Sequence, residues 1–305
     1  MKTRKLVLLI ADALLILALI LQLCLKTGDK VKVYQLSEQP EEVTITTAAE
    51  SYTVLKENDA WFVGDKKYPA NETYVTQLVD AVKAVKVLDK VASGSSDSTL
   101  EKYQLSEDQR ITVVAKKNGS VVRTLYIGKD TNAGSQTYVM IDDSKDIYLS
   151  AGNLRNDFDK KVSYLRTRIV YDVEKSDISS VAISAANNEN WSISKMGNGT
   201  DVVWNCSNAL VSIDEEKAQD WFNSLSAMTT SKWYDENEDL GGTLAVTAKI
   251  GVGFKTIAVE IYELPPEGED GKPKYWAKCS ESPYSFELAN YAVQRFLKPL
   301  SEFTK

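Results

Sequence analysis

The sequence contains no histidine. A Ser-His-Asp triad, a Cys-His couple and a histidine-ligated zinc are therefore excluded. Its three cysteines, Cys24, Cys206 and Cys279, are one short of a Cys₄ zinc site. Only seven prolines occur in 305 residues, too few for a linker-like or low-complexity chain. Basic charge is in deficit: 36 Lys and Arg face 43 Asp and Glu, a net −7, and no basic stripe offsets it. Such a chain repels nucleic acid and anionic headgroups, so no nucleic-acid partner is expected. Carboxylate, Lys, Tyr or Cys chemistry is all that stays open to catalysis.

Long apolar runs are lacking too, with one exception. Residues 6–25, LVLLIADALLILALILQLCL, are long enough as a helix to span a hydrocarbon core of about 30 Å. Lys2, Arg4 and Lys5 precede the run, which puts that end in the cytoplasm. A cleaved signal would be shorter and end at small residues, whereas this run ends Leu21-Gln22-Leu23-Cys24-Leu25. Leu23 before Cys24 is also too large for a lipoprotein site. Residues 1–25 are thus expected to be a single-pass transmembrane anchor and 26–40 a polar linker. The remainder is expected outside the cytoplasm. Asp12 is the one ionisable group within the run. Intramembrane carboxyls commonly pair with a partner helix, so Asp12 is a candidate membrane contact; the alternative is that it snorkels to the nearby cytoplasmic surface.

The rest of the chain repeats itself. Val43-Thr44-Ile45-Thr46 matches Val181-Ala182-Ile183-Ser184, Tyr52–Lys56 matches Trp191–Lys195, and Trp61 matches Trp204 at an offset of 143. The same offset carries the apolar stripe Val75, Leu78, Val79, Val82, Val85 onto Ala218, Trp221, Phe222, Leu225, Met228. That spacing predicts a helix in each copy, starting at Asn71 in the first and at Ser212 or Asp214 in the second. Further on, Ile111–Lys116 matches Leu244–Lys249, Tyr138 matches Tyr275, and Ile147 and Leu149 match Tyr284 and Phe286. Each copy is expected to close with an amphipathic helix, over 153–165 and 289–303. The expected fold class is therefore α+β: an N-terminal transmembrane helix, then two tandem repeats of a mostly antiparallel sheet with helices, β-β-β-α-β-β-β-β-α each. The copies are placed at 41–168 and 178–305.

Several of these residues carry a family resemblance. Trp61, the helix expected over 71–87, Lys102-Tyr103-Gln104-Leu105, Tyr126-Ile127-Gly128-Lys129, Tyr138-Val139 and Leu165-Arg166-Thr167-Arg168 resemble the bacterial family catalogued as domain of unknown function 4340. Gln104 stands where that family's turn carries glycine, and no proline follows. The resemblance covers residues 40–305 if both copies count. It implies no catalytic residues. It implies membrane-anchored accessory proteins associated with ABC transporters or with gliding-motility gene clusters.

Candidate sites are few. Asp235, Asn237 and Asp239 place oxygens at alternate positions, as a weak cation site would. Leu240 and Val246 stand where a calcium loop needs glycine and glutamate, so a solvated turn is the competing reading. Gly251-Val252-Gly253 fits a hairpin turn. Residues 263–274 form a long polar insertion between strands. Five of six tryptophans fall in the second copy, and most suit a core; Trp233 is the least constrained and is a candidate ligand contact. Cys206 and Cys279 could form a disulfide in an oxidising space, or stay as free thiols. No cofactor is implied, and no spacing singles out a catalytic carboxylate pair.

The expected function is a non-catalytic, extracytoplasmic accessory or scaffold protein of an envelope or ABC-transporter-associated assembly, with protein partners. A polysaccharide- or peptidoglycan-binding module is the alternative. A carboxylate-based hydrolase would need two carboxyls across a cleft.

Overall fold

The computed structural model describes residues 15–16, 31–186, 189–197, 202–236, 238–266 and 271–305. It divides after Thr167 into two compact units, the second beginning at Arg168.

In unit 1 the strands are β1 Lys32–Gln35, β2 Glu42–Thr46, β3 Ser51–Glu57, β4 Ala60–Val63 and β5 Tyr68–Pro69, followed by helix α1 Glu72–Lys83 and strand β6 Ala84–Ser93. Helix α2, Asp97–Tyr103, precedes β7 Ile111–Lys117, β8 Ser120–Asp130, β9 Thr137–Ile141 and β10 Asp146–Ser150; short helices α3 Leu154–Phe158 and α4 Val162–Leu165 close the unit. All ten strands form one sheet, ordered β1-β6-β10-β9-β8-β7-β2-β3-β4-β5. Asn71 caps α1 by accepting from the Tyr74 N–H. Val75, Leu78, Val79 and Val82 are buried from α1, and they join Val43, Ile45, Val54, Val113, Leu125 and Ile127 in the main core.

Unit 2 opens with β11 Ile169–Asp172, then β12 Ile178–Ala185, β13 Asn190–Met196, β14 Val203–Cys206 and α5 Glu215–Ser224. It continues through β15 Ala227–Thr229, β16 Trp233–Glu236, β17 Thr243–Val252, β18 Lys255–Leu264, β19 Lys274–Cys279 and β20 Ser282–Leu288 to α6 Asn290–Val293 and a 3-10 turn Leu300–Phe303. Its main sheet runs β14-β13-β12-β17-β18-β19-β20-β16. The corresponding run in unit 1 is β4-β3-β2-β7-β8-β9-β10-β6, the same topology strand for strand. Even the extra pairs agree: β1 pairs with the start of β6, and β11 with β15. Both units end alike, with isolated bridges Ala70↔Arg166 and Ile213↔Thr304. The α1 start takes the Leu165 carbonyl on the Asn71 N–H at 2.7 Å, and the α5 start takes the Phe303 carbonyl on the Asp214 N–H at 2.8 Å.

The structure corrects the expected fold in several places. Among the described residues no helix is long and apolar enough to cross a membrane, so the transmembrane helix is not part of the observed fold class. The run over residues 6–25, apart from Leu15 and Ile16, lies outside the described residues, as do Asp12 and Cys24. Residues 26–40, expected as linker, hold strand β1. The helix ends at Lys83, because Val85 and Val87 alternate inward as a strand; Val85 and Met228 belong to β6 and β15. The closing helices are broken, at residues 159–161 in unit 1 and ahead of Pro299 in unit 2.

Register also shifts part of the internal alignment. Ile111 faces Ile127, and Val246 faces Ile261, so Val246 rather than Leu244 corresponds to Ile111. Val139 faces Ile127 and Ala277 faces Ile261, so Tyr138 corresponds to Trp276, not Tyr275. Likewise Tyr148 corresponds to Phe286. A one-residue slip moves a side chain to the opposite face of a sheet, which short sequence matches do not detect.

Candidate functional site

The residues singled out in the sequence do not converge. Trp233 is half-buried, its ring edge-on to Phe286 at 5.7 Å, so it is no exposed platform. Trp191 and Trp221 lie in the unit 2 core. Trp276 is buried on the other face, stacked on Tyr262 at 4.4 Å, with its indole N–H donating to the Gly241 carbonyl. Cys206 and Cys279 are free thiols. They sit on β14 and β19, with β13, β12, β17 and β18 between them. Five inter-strand steps put them on the order of 20 Å apart, so they cannot be bridged. Burial pushes the Cys279 thiol up to about 11; its counterpart is the buried Ile141, since Ile141 faces Leu125 as Cys279 faces Val259.

The acidic turn is occupied with its own backbone. Glu238 accepts from the Asp235 N–H at 3.0 Å, and Asp239 accepts from the Gly241 N–H at 2.9 Å. Asn237 lies outside the described residues. Among the described residues no group of three or more His, Cys, Asp or Glu is placed to hold a metal ion.

A different feature of unit 2 stands out. A cavity of about 640 Å³ opens where β12 ends, β17 begins and β18 ends. Ile183, Ala185, Trp191, Leu244, Ala245 and Leu264 line it from the sheet, and Phe296 and Leu297 from the closing segment. Pro265 and Pro266, the start of the 263–274 insertion, form part of its wall. Charge is confined to Glu189, Glu263 and Lys298. The Lys298 ammonium is paired with Glu302 at 2.9 Å, and the other two charged residues of the wall, Glu189 and Glu263, are both acidic.

Comparison with unit 1 explains why this end is open. There the Tyr52 hydroxyl donates to the Lys160 carbonyl at 2.7 Å, and the Glu50 carboxylate accepts from the Val162 N–H at 3.2 Å. These bonds pin the closing segment to the sheet. Arg155 donates to the carbonyls of Gly128 and Gln109, at 2.8 and 3.3 Å, where the β7–β8 ladder stops at Ile111. In unit 2 Trp191 takes the place of Tyr52: it faces Ile183 as Tyr52 faces Ile45. Its ring packs on Trp221 and Phe303, with centroids 5.1 and 5.6 Å away. Counting back from the matched closing bridges, Val293 takes the place of Arg155. The β17–β18 ladder meanwhile runs on to Thr243↔Glu263. The guanidinium that fills this end of unit 1 therefore has no counterpart in unit 2.

A family model, Domain of unknown function (DUF4340), matches residues 61–242. The chain belongs to this family. The match is one stretch running from unit 1 into unit 2, not one match per unit. The family resemblance in the sequence now has a structural meaning. Tyr103 ends α2 and Leu105 lies just beyond it on the outer face of the unit 1 sheet, where Leu105, Met140 and Ile147 form a small second core. Gly128 lies directly beneath: a Cβ there would collide with the Tyr103 carbonyl. In unit 2 the glycine has moved to the crossing segment just ahead of β17, and a Cβ on Gly242 would collide with the Glu263 carbonyl. DUF4340 membership assigns no activity. No curated protein and no solved structure matches the chain.

Sequence reasoning missed the cavity because its walls come from four separated stretches. The one available signal is the 263–274 insertion with its Pro-Pro start. Leu244 and Leu297, 42% and 37% exposed at its edge, are apolar positions that an ordinary strand end or turn would make polar.

Proposed function

We propose that this DUF4340 protein is a non-catalytic accessory component of an extracytoplasmic assembly, and that the unit 2 cavity recognises a segment of a partner protein. The observation that carries this reading is the contrast between the units: one end of the module, filled in unit 1 by Arg155, is an open apolar cavity in unit 2 with carboxylates at its rim. The occupant that fits is an apolar segment bearing an arginine or lysine, which would place a cation where unit 1 places its own. The volume suits several side chains. Extracytoplasmic placement rests on the sequence of residues 2–25. The saccharide-binding alternative loses its basis at Trp233, which is packed against Phe286.

Selection of a random peptide library against the full chain tests this. Sequences combining Leu, Ile or Phe with Arg or Lys should be enriched, and the Ala245→Trp variant, which narrows the cavity, should not retain them. Enrichment without basic residues, or equal retention by Ala245→Trp, contradicts the proposal.

A further inference from the structure

The two sheets differ at one edge. In unit 1, β5 pairs with β4 through Phe62↔Pro69 and Val63↔Tyr68, and the Ala70 N–H donates to the Trp61 carbonyl at 2.9 Å. Trp61 and Val63 are both buried beside it. In unit 2 the sheet stops at β14. Counting from the matched bridges Ala70↔Arg166 and Ile213↔Thr304, Val211 and Ser212 stand in place of Tyr68 and Pro69. Among the described residues, however, no strand pairs with the outer side of β14. A cavity of about 380 Å³, walled in part by Trp204 and by Leu210–Ile213, lies there instead. Trp204 and Cys206, the counterparts of Trp61 and Val63, are only half-buried. Exposed apolar side chains gather along the same edge: Val203, Met196 opposite it on β13, and Leu210 just beyond.

The backbone of β14 is half used. The Ser207 N–H donates to the Ser192 carbonyl at 3.0 Å. Strand alternation then turns the N–H and C=O of Asn205 toward β13, and those of Trp204 and Cys206 outward. Sheet edges are ordinarily guarded by charge or proline. In the two main sheets, edge strand β1 carries Lys32, β5 carries Pro69, and β16 carries Asp235 and Glu236. The fourth edge, β14, reads Val203-Trp204-Asn205-Cys206 and carries neither.

We propose that β14 is an interface between two copies of this chain, each laying its β14 antiparallel against the other's. Two identical antiparallel strands are related by a two-fold axis, so the pair closes as a dimer. Opposed side chains share a face of the sheet. The register that uses every outward group within the strand therefore centres the axis on Asn205. Trp204 of one copy then exchanges both backbone hydrogen bonds with Cys206 of the other, and the reverse. The added strand takes the place that β5 holds in unit 1. No charge on β14 meets its own image. The proposal is independent of the cavity assigned to a partner segment, which β14 does not line.

Sedimentation of the full chain over a range of concentrations tests it. A dimer should form. Asn205 is exposed, so Asn205→Lys leaves the fold intact while setting two like charges face to face; it should weaken the dimer at least about tenfold. Asn205→Thr, uncharged and suited to a strand, should dimerise as the parent does. Under mild oxidation, Asn205→Cys in a chain also carrying Cys24→Ser and Cys206→Ser should give a disulfide-linked dimer, since the two Cβ atoms would face each other across the axis. A chain that stays monomeric up to about 1 mM, the weak end of the affinity range, overturns the proposal. So does a dimer that survives Asn205→Lys, or one that Asn205→Cys does not cross-link.

Discussion

The Tyr52 hydroxyl donates to the Lys160 carbonyl at 2.7 Å, joining a sheet strand to the segment that closes its unit. Burial, then the nearby Glu50 and Asp159 carboxylates, raise the Tyr52 phenol above its ordinary value, so it stays a donor at any physiological pH. Trp191 at the equivalent position instead packs on Trp221 and Phe303. This phenol-to-indole difference adds to the Arg155-to-Val293 difference at the same end of the module.

Tyr52→Phe removes this bond while keeping the ring. Losing one buried hydrogen bond costs about 1 kcal/mol, and the Lys160 carbonyl is left without that donor. Denaturant unfolding should show the loss, and amide exchange in Val162–Leu165 should accelerate. Unchanged exchange there would mean the bond does not hold the closing segment.

Gln104 ends α2 at φ 53, a left-handed conformation that costs a side-chain-bearing residue about 1 kcal/mol. Gln104→Gly should therefore stabilise the protein by about that amount. Gly128→Ala should do the reverse by roughly 1–3 kcal/mol, since the strand and the Tyr103 carbonyl would have to separate. Thermal melts of the two variants should move in opposite directions.

These two positions show what the sequence made legible. Strands β2–β4 and β7–β10 with their unit 2 counterparts, the α1 and α5 stripes and the matched Trp61 and Trp204 follow from periodicity, because burial of one face imposes it, whereas β5, β6, α2, β15 and β16 were not expected. The Gly128 and Tyr103 motif was visible as residues but not as a crossing, which is a contact between distant stretches. Strand β1 was passed over because a short edge strand with no buried residue carries little pattern, and β11 because its buried residues, Val170 and Tyr171, are adjacent and do not alternate. Trp233 misled for a related reason: no local period showed that Phe286, 53 positions on, would cover it. The unit 2 cavity was hidden because it arises from an absent contact, Val293 for Arg155, at a place defined only once both units are superimposed by their ladders.

Cys279 titrates within the core. Burial raises its thiol from 9.0 to about 11, so the folded state holds the proton over a range where the unfolded state releases it. Its contribution to stability is complete below pH 9 and is lost as pH rises through 11. The Cys279→Ala variant should lose less stability than the parent between pH 9 and 11. At pH 8, alkylation followed by peptide mass analysis should modify half-buried Cys206 well before Cys279; equal rates would contradict the burial of Cys279.

The reading of unit 2 as a recognition module is tested most directly by calorimetric titration of the full chain with two synthetic peptides of one apolar sequence, flanked by arginine in one and by glutamate in the other. The arginine peptide should bind, the glutamate peptide at least about tenfold more weakly, a gap of about 1.4 kcal/mol, and neither should bind Ala245→Trp. Equal affinity for the two peptides, or binding that survives Ala245→Trp, would contradict it.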